Sequence, residues 1–222
     1  MNKRLITVGF LILGIAILAK LVFVAAKNIK VDDFHKAAIV FVIDSSASNQ
    51  KNLPDEIKYT KSLCALLDPE DEIKILKVSQ GSYLIYEGSP NDTRGITKAV
   101  EAFTQYDAND YGTAYGEGLK KALEHCLTMK KEGYNTAVVV IGDLENEGAV
   151  EKQINWETLP ENIENVKKYI PELAMMFAYA HPEKLDLVKT KLNPVLGENK
   201  LIVANEANAD KAVRRFLKAI GR

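Results

Sequence analysis

Ala37-Ala38-Ile39-Val40-Phe41-Val42-Ile43-Asp44 and Thr136-Ala137-Val138-Val139-Val140-Ile141-Gly142-Asp143 decide the fold. Neither apolar run has a polar face. A strand covered on both sides reads this way, and helices must supply the cover. Each run is closed by an aspartate, so two carboxylates reach the carboxyl edge of a sheet from what should be neighbouring central strands. In a doubly wound sheet the binding crevice lies along that edge.

Outward from these runs, short apolar stretches alternate with longer amphipathic ones. Leu53, Ile57, Cys64 and Leu67 predict a helical face that Asp68-Pro69 stops. Ile73, Ile75 and Val78 face Tyr83-Leu84-Ile85-Tyr86 across the turn Ser79-Gln80-Gly81-Ser82, which predicts an antiparallel edge pair. Ile96, Val100 and Phe103 mark a short helix, and Leu119, Ala122, Leu123, Cys126 and Leu127 a stronger one. Further on, the pattern predicts helices over 161–170, 183–192 (ended by Asn193-Pro194) and 207–220, with strands over 173–179 and 200–203. The expected fold class is α/β. Residues 37–222 should form one domain with a doubly wound, mostly parallel six-stranded sheet, one antiparallel edge strand and helices on both faces.

A chain of 222 residues with 47% hydrophobic and 27% charged residues is a packed body rather than a disordered or low-complexity one. Its 29 basic and 30 acidic side chains leave a net charge of -1, which removes any general attraction to nucleic acid. Two cysteines, Cys64 and Cys126, are too few for a disulfide scaffold and read as core residues. His35, His125 and His181 are scattered and pair with no obvious nucleophile.

The front of the chain differs from the rest. Residues 5–26 carry one charge, Lys20, in an apolar run long enough as a helix to cross a bilayer of about 30 Å. Behind a tail of residues 1–4, this segment reads as a transmembrane anchor or a signal segment, with residues 27–36 as a connector. The length of the run favours an uncleaved single-pass anchor; Lys27, Lys30 and Lys36 after it nearly balance Lys3 and Arg4 before it, and the domain is expected on the extracytoplasmic side. Cleavage after Val24-Ala25-Ala26 would make the domain secreted or periplasmic.

The candidate site gathers at the carboxyl edge. Asp44-Ser45-Ser46-Ala47-Ser48 follows the first strand, Asp110-Tyr111-Gly112-Thr113 precedes the strong helix, and Gly142-Asp143 follows the second apolar run. Gly112 is expected to let the backbone approach the site. Hydroxyl and carboxylate oxygens are hard donors, which suit Mg²⁺ with Mn²⁺ next, while zinc is disfavoured because no Cys or His lies near. Trp156, in the stretch after Asp143, is either a rim residue or a hydrophobic pin.

These residues resemble the von Willebrand factor A domain family and its metal-ion-dependent adhesion site. The family pattern has Asp-x-Ser-x-Ser after the first strand, a Thr in a glycine-containing loop and an Asp after the fourth strand. Asp44, Ser46, Ser48, Thr113 and Asp143 match it in order, and the likeness extends over about residues 37–220. Tyr111 stands where a second glycine is frequent, and Leu144 where Asp-Gly is frequent after the last site strand. The resemblance implies that the Ser46, Ser48 and Thr113 hydroxyls contact the metal, while Asp44 and Asp143 act through waters and hydrogen bonds. It further implies a protein partner whose acidic residue completes the coordination.

The expected function is thus a membrane-tethered binding module and not an enzyme. Two alternatives stand beside it: a metal-dependent phosphatase or hydrolase using Asp44, or a scaffold whose metal site is vestigial. The phosphatase would want a second aspartate two residues on, where this chain has Ser46. Partner identity and oligomeric state are not encoded in any motif.

Overall fold

The computed structural model describes residues 36–101, 103 and 112–222. The readings of residues 1–35 as tail, membrane segment and connector, and of His35 and Tyr111, lie outside the described residues. Among the described residues no helix is long and apolar enough to cross a membrane.

The elements in chain order are β1 (Ala37–Asp44), α1 (Leu53–Cys64), β2 (Glu72–Val78), β3 (Ser82–Gly88), α2 (Thr93–Glu101) and α3 (Tyr115–Lys131). β4 (Asn135–Ile141), α4 (Leu159–Lys167), β5 (Ala174–Ala178), α5 (Pro182–Leu196), β6 (Leu201–Ala204) and α6 (Ala209–Ala219) follow. Six strands form one sheet in the order β3-β2-β1-β4-β5-β6, with only β2 and β3 antiparallel. β1 and β4 are neighbours in the middle, so Ile43 lies beside Ile141 and the aspartates beyond them leave the same edge.

Every residue of β1 is buried because its two sets of side chains enter two cores. Ala38, Val40 and Val42 pack with Leu119, Ala122 and Cys126 of α3 and with the apolar faces of α4 and α5. Ala37, Ile39, Phe41 and Ile43 pack with Leu53 and Leu63 of α1, Ile96 of α2 and Phe216 of α6. At about 1.5–3 kcal/mol for each large side chain buried, these two layers should hold the sheet without help from an ion, so that chelation should leave the circular dichroism nearly unchanged. Cys64 and Cys126 are free and buried, and burial pushes both thiols up to about 12, which suits packing and not nucleophilic chemistry.

Several element ends differ from the sequence pattern. α5 does not stop at Asn193-Pro194. It runs through Pro194 to Leu196, because buried Leu192 and Leu196 anchor its last turn, and Gly197 at φ 79 ends it. The closing helix is a 3-10 turn over Glu206–Asn208 followed by α6, with Asn205 capping the turn. α1 ends at Cys64 and α4 starts at Leu159, next to Pro160. In β2 the spacing from Ile75 to Val78 breaks strict alternation, and the pairing with β3 shifts register between Ile75 and Leu76 there. Trp156 packs partly buried against the core under α3 to α5, so it is a pin and not a rim residue.

Candidate metal centre

β1 delivers Asp44 fully buried to the edge, and the chain turns at once. The Ser46 N–H donates to Asp44 Oδ1 at 2.7 Å, an aspartate turn closed on its own loop. Ser45 fastens the loop sideways, its N–H and its hydroxyl both donating to the Val78 carbonyl at the end of β2. After β4 the same device recurs, with the Glu145 N–H donating to Asp143 Oδ1 at 2.8 Å. Each aspartate therefore spends one oxygen on its own loop and leaves the other for a hydroxyl.

The spare oxygens meet a run of hydroxyls. Ser48 Oγ donates to Asp143 Oδ2 at 3.4 Å and lies 3.1 Å from Ser46 Oγ. The loop after β1 and the loop after β4 are thus joined through Asp44, Ser46, Ser48 and Asp143, four of the five expected residues. Thr113 is not joined to them by a hydrogen bond. Its N–H donates to the Glu147 carbonyl at 3.0 Å, while its hydroxyl oxygen is buried with no partner. Gly112 serves a different contact from the one expected. At φ +112, a Cβ there would lie 3.0 Å from Gly148 Cα, so the close approach is to the loop after β4 and not to the crevice.

Three further polar side chains carry this geometry, and the sequence reading passed over all of them. Tyr115, wholly buried at the start of α3, donates its hydroxyl to Asp44 Oδ2 at 3.0 Å. Asn49 donates through Nδ2 to the Asp44 carbonyl at 3.3 Å and to Glu56 Oε2 at 2.8 Å. Glu56, in the first turn of α1, is fully buried and has its other oxygen, Oε1, without a partner. The available signal for Tyr115 was its place two residues after Thr113. Glu56 and Asn49 offered none, since an acid in a first turn and an Asn before a helix are ordinary N-terminal residues.

The crevice is electrostatically strained toward negative charge. Burial pushes the Asp44 carboxyl up to about 7 against the hydrogen bond from Ser46, and the charge of Asp143 adds to the rise. Burial likewise pushes Glu56 up to about 8, with Asp44 and Asp143 raising it further. Two aspartates, the Ser46 and Ser48 hydroxyls and a neighbouring buried glutamate supply hard oxygens, the donor type that small divalent cations take. Among the described residues no group of three or more His, Cys, Asp or Glu is placed to hold a metal, so an ion here would need the hydroxyls as well as the carboxylates.

A family model described as the von Willebrand factor type A domain matches residues 38–180, well over half of the chain. No curated protein matches in sequence. Among solved structures, a von Willebrand factor type A protein from Catenulispora acidiphila is similar at 16% identity with a TM-score of 0.57, covering 84% of this chain and 43% of that one. BatB from Bacteroides thetaiotaomicron is similar at 14% identity and a TM-score of 0.58, covering 82% and 98%. Proximal thread matrix protein 1 of the mussel byssus, whose structure has a zinc-occupied metal-ion-dependent adhesion motif, is similar at 13% identity and 0.54, covering 83% and 48%. The chain thus spans less than half the length of the Catenulispora and mussel proteins. These likenesses show the fold.

Proposed function

Since the chain belongs to the von Willebrand factor type A domain family, whose members are generally protein-interaction modules, we propose that it binds a protein partner through a divalent cation held at the edge of β1 and β4. The observation that supports this most is the way Asp44 and Asp143 each accept an amide of their own loop with one oxygen and a hydroxyl with the other, Asp44 from Tyr115 and Asp143 from Ser48, which in turn meets Ser46. Ser46, Ser48 and Thr113 would hold the ion, with Asp44 and Asp143 orienting its waters. The unpartnered Thr113 hydroxyl fits that role. Mg²⁺ is the proposed ion, with Mn²⁺ second. The zinc-occupied motif of the mussel protein makes zinc a third arm of the test. When bound, the ion would supply a Lewis-acidic position that a partner carboxylate could complete.

The test is thermal unfolding with and without metal, paired with partner capture in Mg²⁺ and in EDTA. Mg²⁺ at a hundred times its Kd should stabilise the domain by about 2.7 kcal/mol. Asp44→Asn preserves the loop's shape, yet it should abolish that shift and the capture together. Stabilisation by Mg²⁺ that survives Asp44→Asn would place the ion elsewhere. A domain that no divalent cation stabilises would make the site vestigial.

Residues 5–26 would tether the module to a membrane, with the domain facing the extracytoplasmic side. The full chain should sediment with membranes and resist carbonate extraction, whereas a chain beginning at Asn28 should stay in the supernatant. A mature protein starting near Lys27 and free of membrane would show a cleaved signal instead.

A further inference from the structure

Tyr115 is a large side chain with no exposed surface, and its one polar atom sits between the two aspartate loops. The hydroxyl donates to Asp44 Oδ2 at 3.0 Å and accepts from the Leu144 N–H at 3.3 Å. A phenol has a single proton and can do both at once only while protonated. An ordinary tyrosine, with a pKa of about 10, carries that proton at neutral pH. Gly142 is what admits it. A Cβ at 142 would lie 2.1 Å from the Tyr115 oxygen and 2.5 Å from Asp44 Cβ, and the residue holds φ +142. The receiving end is also unusual, since Leu144 is buried and held at φ 60, a left-handed conformation costly for a residue with a side chain. A feature that keeps a leucine there must over-determine it, and the hydrogen bond from its amide to Tyr115 contributes to that.

We propose that Tyr115 is the positioning residue of this centre. Its hydroxyl holds Asp44 and the backbone after Asp143 in one geometry and carries occupancy of the crevice to the loop that follows β4. The proposal rests on reading the crevice as a metal site. It goes further by naming the atom that couples the site's two halves, which lie 99 residues apart in Asp44 and Asp143. A hydrogen bond to a carboxylate strengthens as that carboxylate is fixed, and the next bond along the chain strengthens with it. Ordering Asp44 should therefore tighten the Leu144 amide.

Tyr115→Phe tests this, because it keeps the ring in the core and removes only the hydroxyl. Mg²⁺ alone is titrated by calorimetry into the wild-type and variant domains, unfolding is followed in EDTA, and amide exchange at Leu144 is read with and without Mg²⁺. The affinity for Mg²⁺ should fall by about tenfold or more, the usual effect of losing a group that orients a ligand. Mg²⁺ should slow exchange at Leu144 in the wild type and leave it unchanged in the variant. A variant that is less stable in EDTA but binds Mg²⁺ as the wild type does would make Tyr115 a packing residue and overturn the proposal. Should the variant fail to fold, wild-type exchange at Leu144 that is indifferent to saturating Mg²⁺ overturns it equally. A wild type that takes up no Mg²⁺ overturns the metal reading and this one together, whereas binding indifferent to Tyr115→Phe overturns this one alone.

Discussion

In EDTA the domain should lose stability as the pH rises from about 5 to about 8.5, by several kcal/mol, the reverse of what paired carboxylates produce. The sign follows from Asp44 and Glu56. Their folded values, about 7 and about 8, lie above the values 3.8 and 4.5 of the unperturbed groups. Well below pH 3.8 both groups are protonated whether the chain is folded or not, and they contribute nothing to the slope. Above that, the unfolded chain releases its protons while the folded one retains them, so unfolding gains until the folded groups ionise near pH 7 and 8. At about 1.4 kcal/mol for each unit of displacement, and with the two acids coupled through Asp143, the total is on the order of several kcal/mol. Denaturant unfolding at the two pH values measures it. Glu56→Gln should flatten the slope by roughly half, and a saturating divalent cation should remove most of what remains, because it favours the ionised crevice. A chain equally stable at both ends of that range in EDTA would mean that the two acids are not isolated from water as their burial indicates.

Asp71→Ala should destabilise the domain by about 3–5 kcal/mol, lowering the melting temperature by about 10 °C, while leaving Mg²⁺ affinity untouched. Asp71 is fully buried at the end of the sheet opposite the crevice. Its carboxylate accepts the Ala37 N–H at 2.7 Å, where β1 begins, and the Asp68 N–H at 2.9 Å. It also pairs with the guanidinium of Arg222, whose side chain is only 9% exposed and which reaches Asp68 at 3.2 Å. Removing the carboxylate takes the acceptor from the Ala37 and Asp68 amides and one of its carboxylate partners from the Arg222 guanidinium, which is far costlier than losing an exposed ion pair. Arg222→Ala is the milder change, because Asp71 keeps two backbone donors. Equilibrium unfolding of both variants separates the cases. A loss below about 1 kcal/mol for Asp71→Ala would show that water reaches this cluster.

Much of the fold could be read from the chain because its information is local. An uninterrupted apolar run of seven residues such as Ala37 to Ile43 is compatible with water on neither face, so two central strands, and helices to cover them, follow from β1 and β4 alone. The turn between β2 and β3 sits within a few residues of both strands it joins, which made the antiparallel edge readable too. The aspartates were visible for the same reason, being the first polar residues after those runs. Pro194 marks where local reading stops working. A proline predicts a helix end, but the burial of Leu192 and Leu196 outweighs the one hydrogen bond it removes so close to the terminus.

What tertiary structure decided is how polar side chains were paired across the chain. Tyr115 looks like any aromatic residue at a helix start until folding brings it to Asp44, 71 residues earlier. Glu56 looks like a solvent-facing acid that suits a helix N-terminus until α1 packs under the loop after β1 and buries it. Arg222 and Asp71, 151 residues apart, carry no mark of one another in the sequence. An apolar residue announces its burial because water rejects it wherever it stands. A polar one is tolerated in water or in the core, and only the partner that folding brings to it decides which it will be.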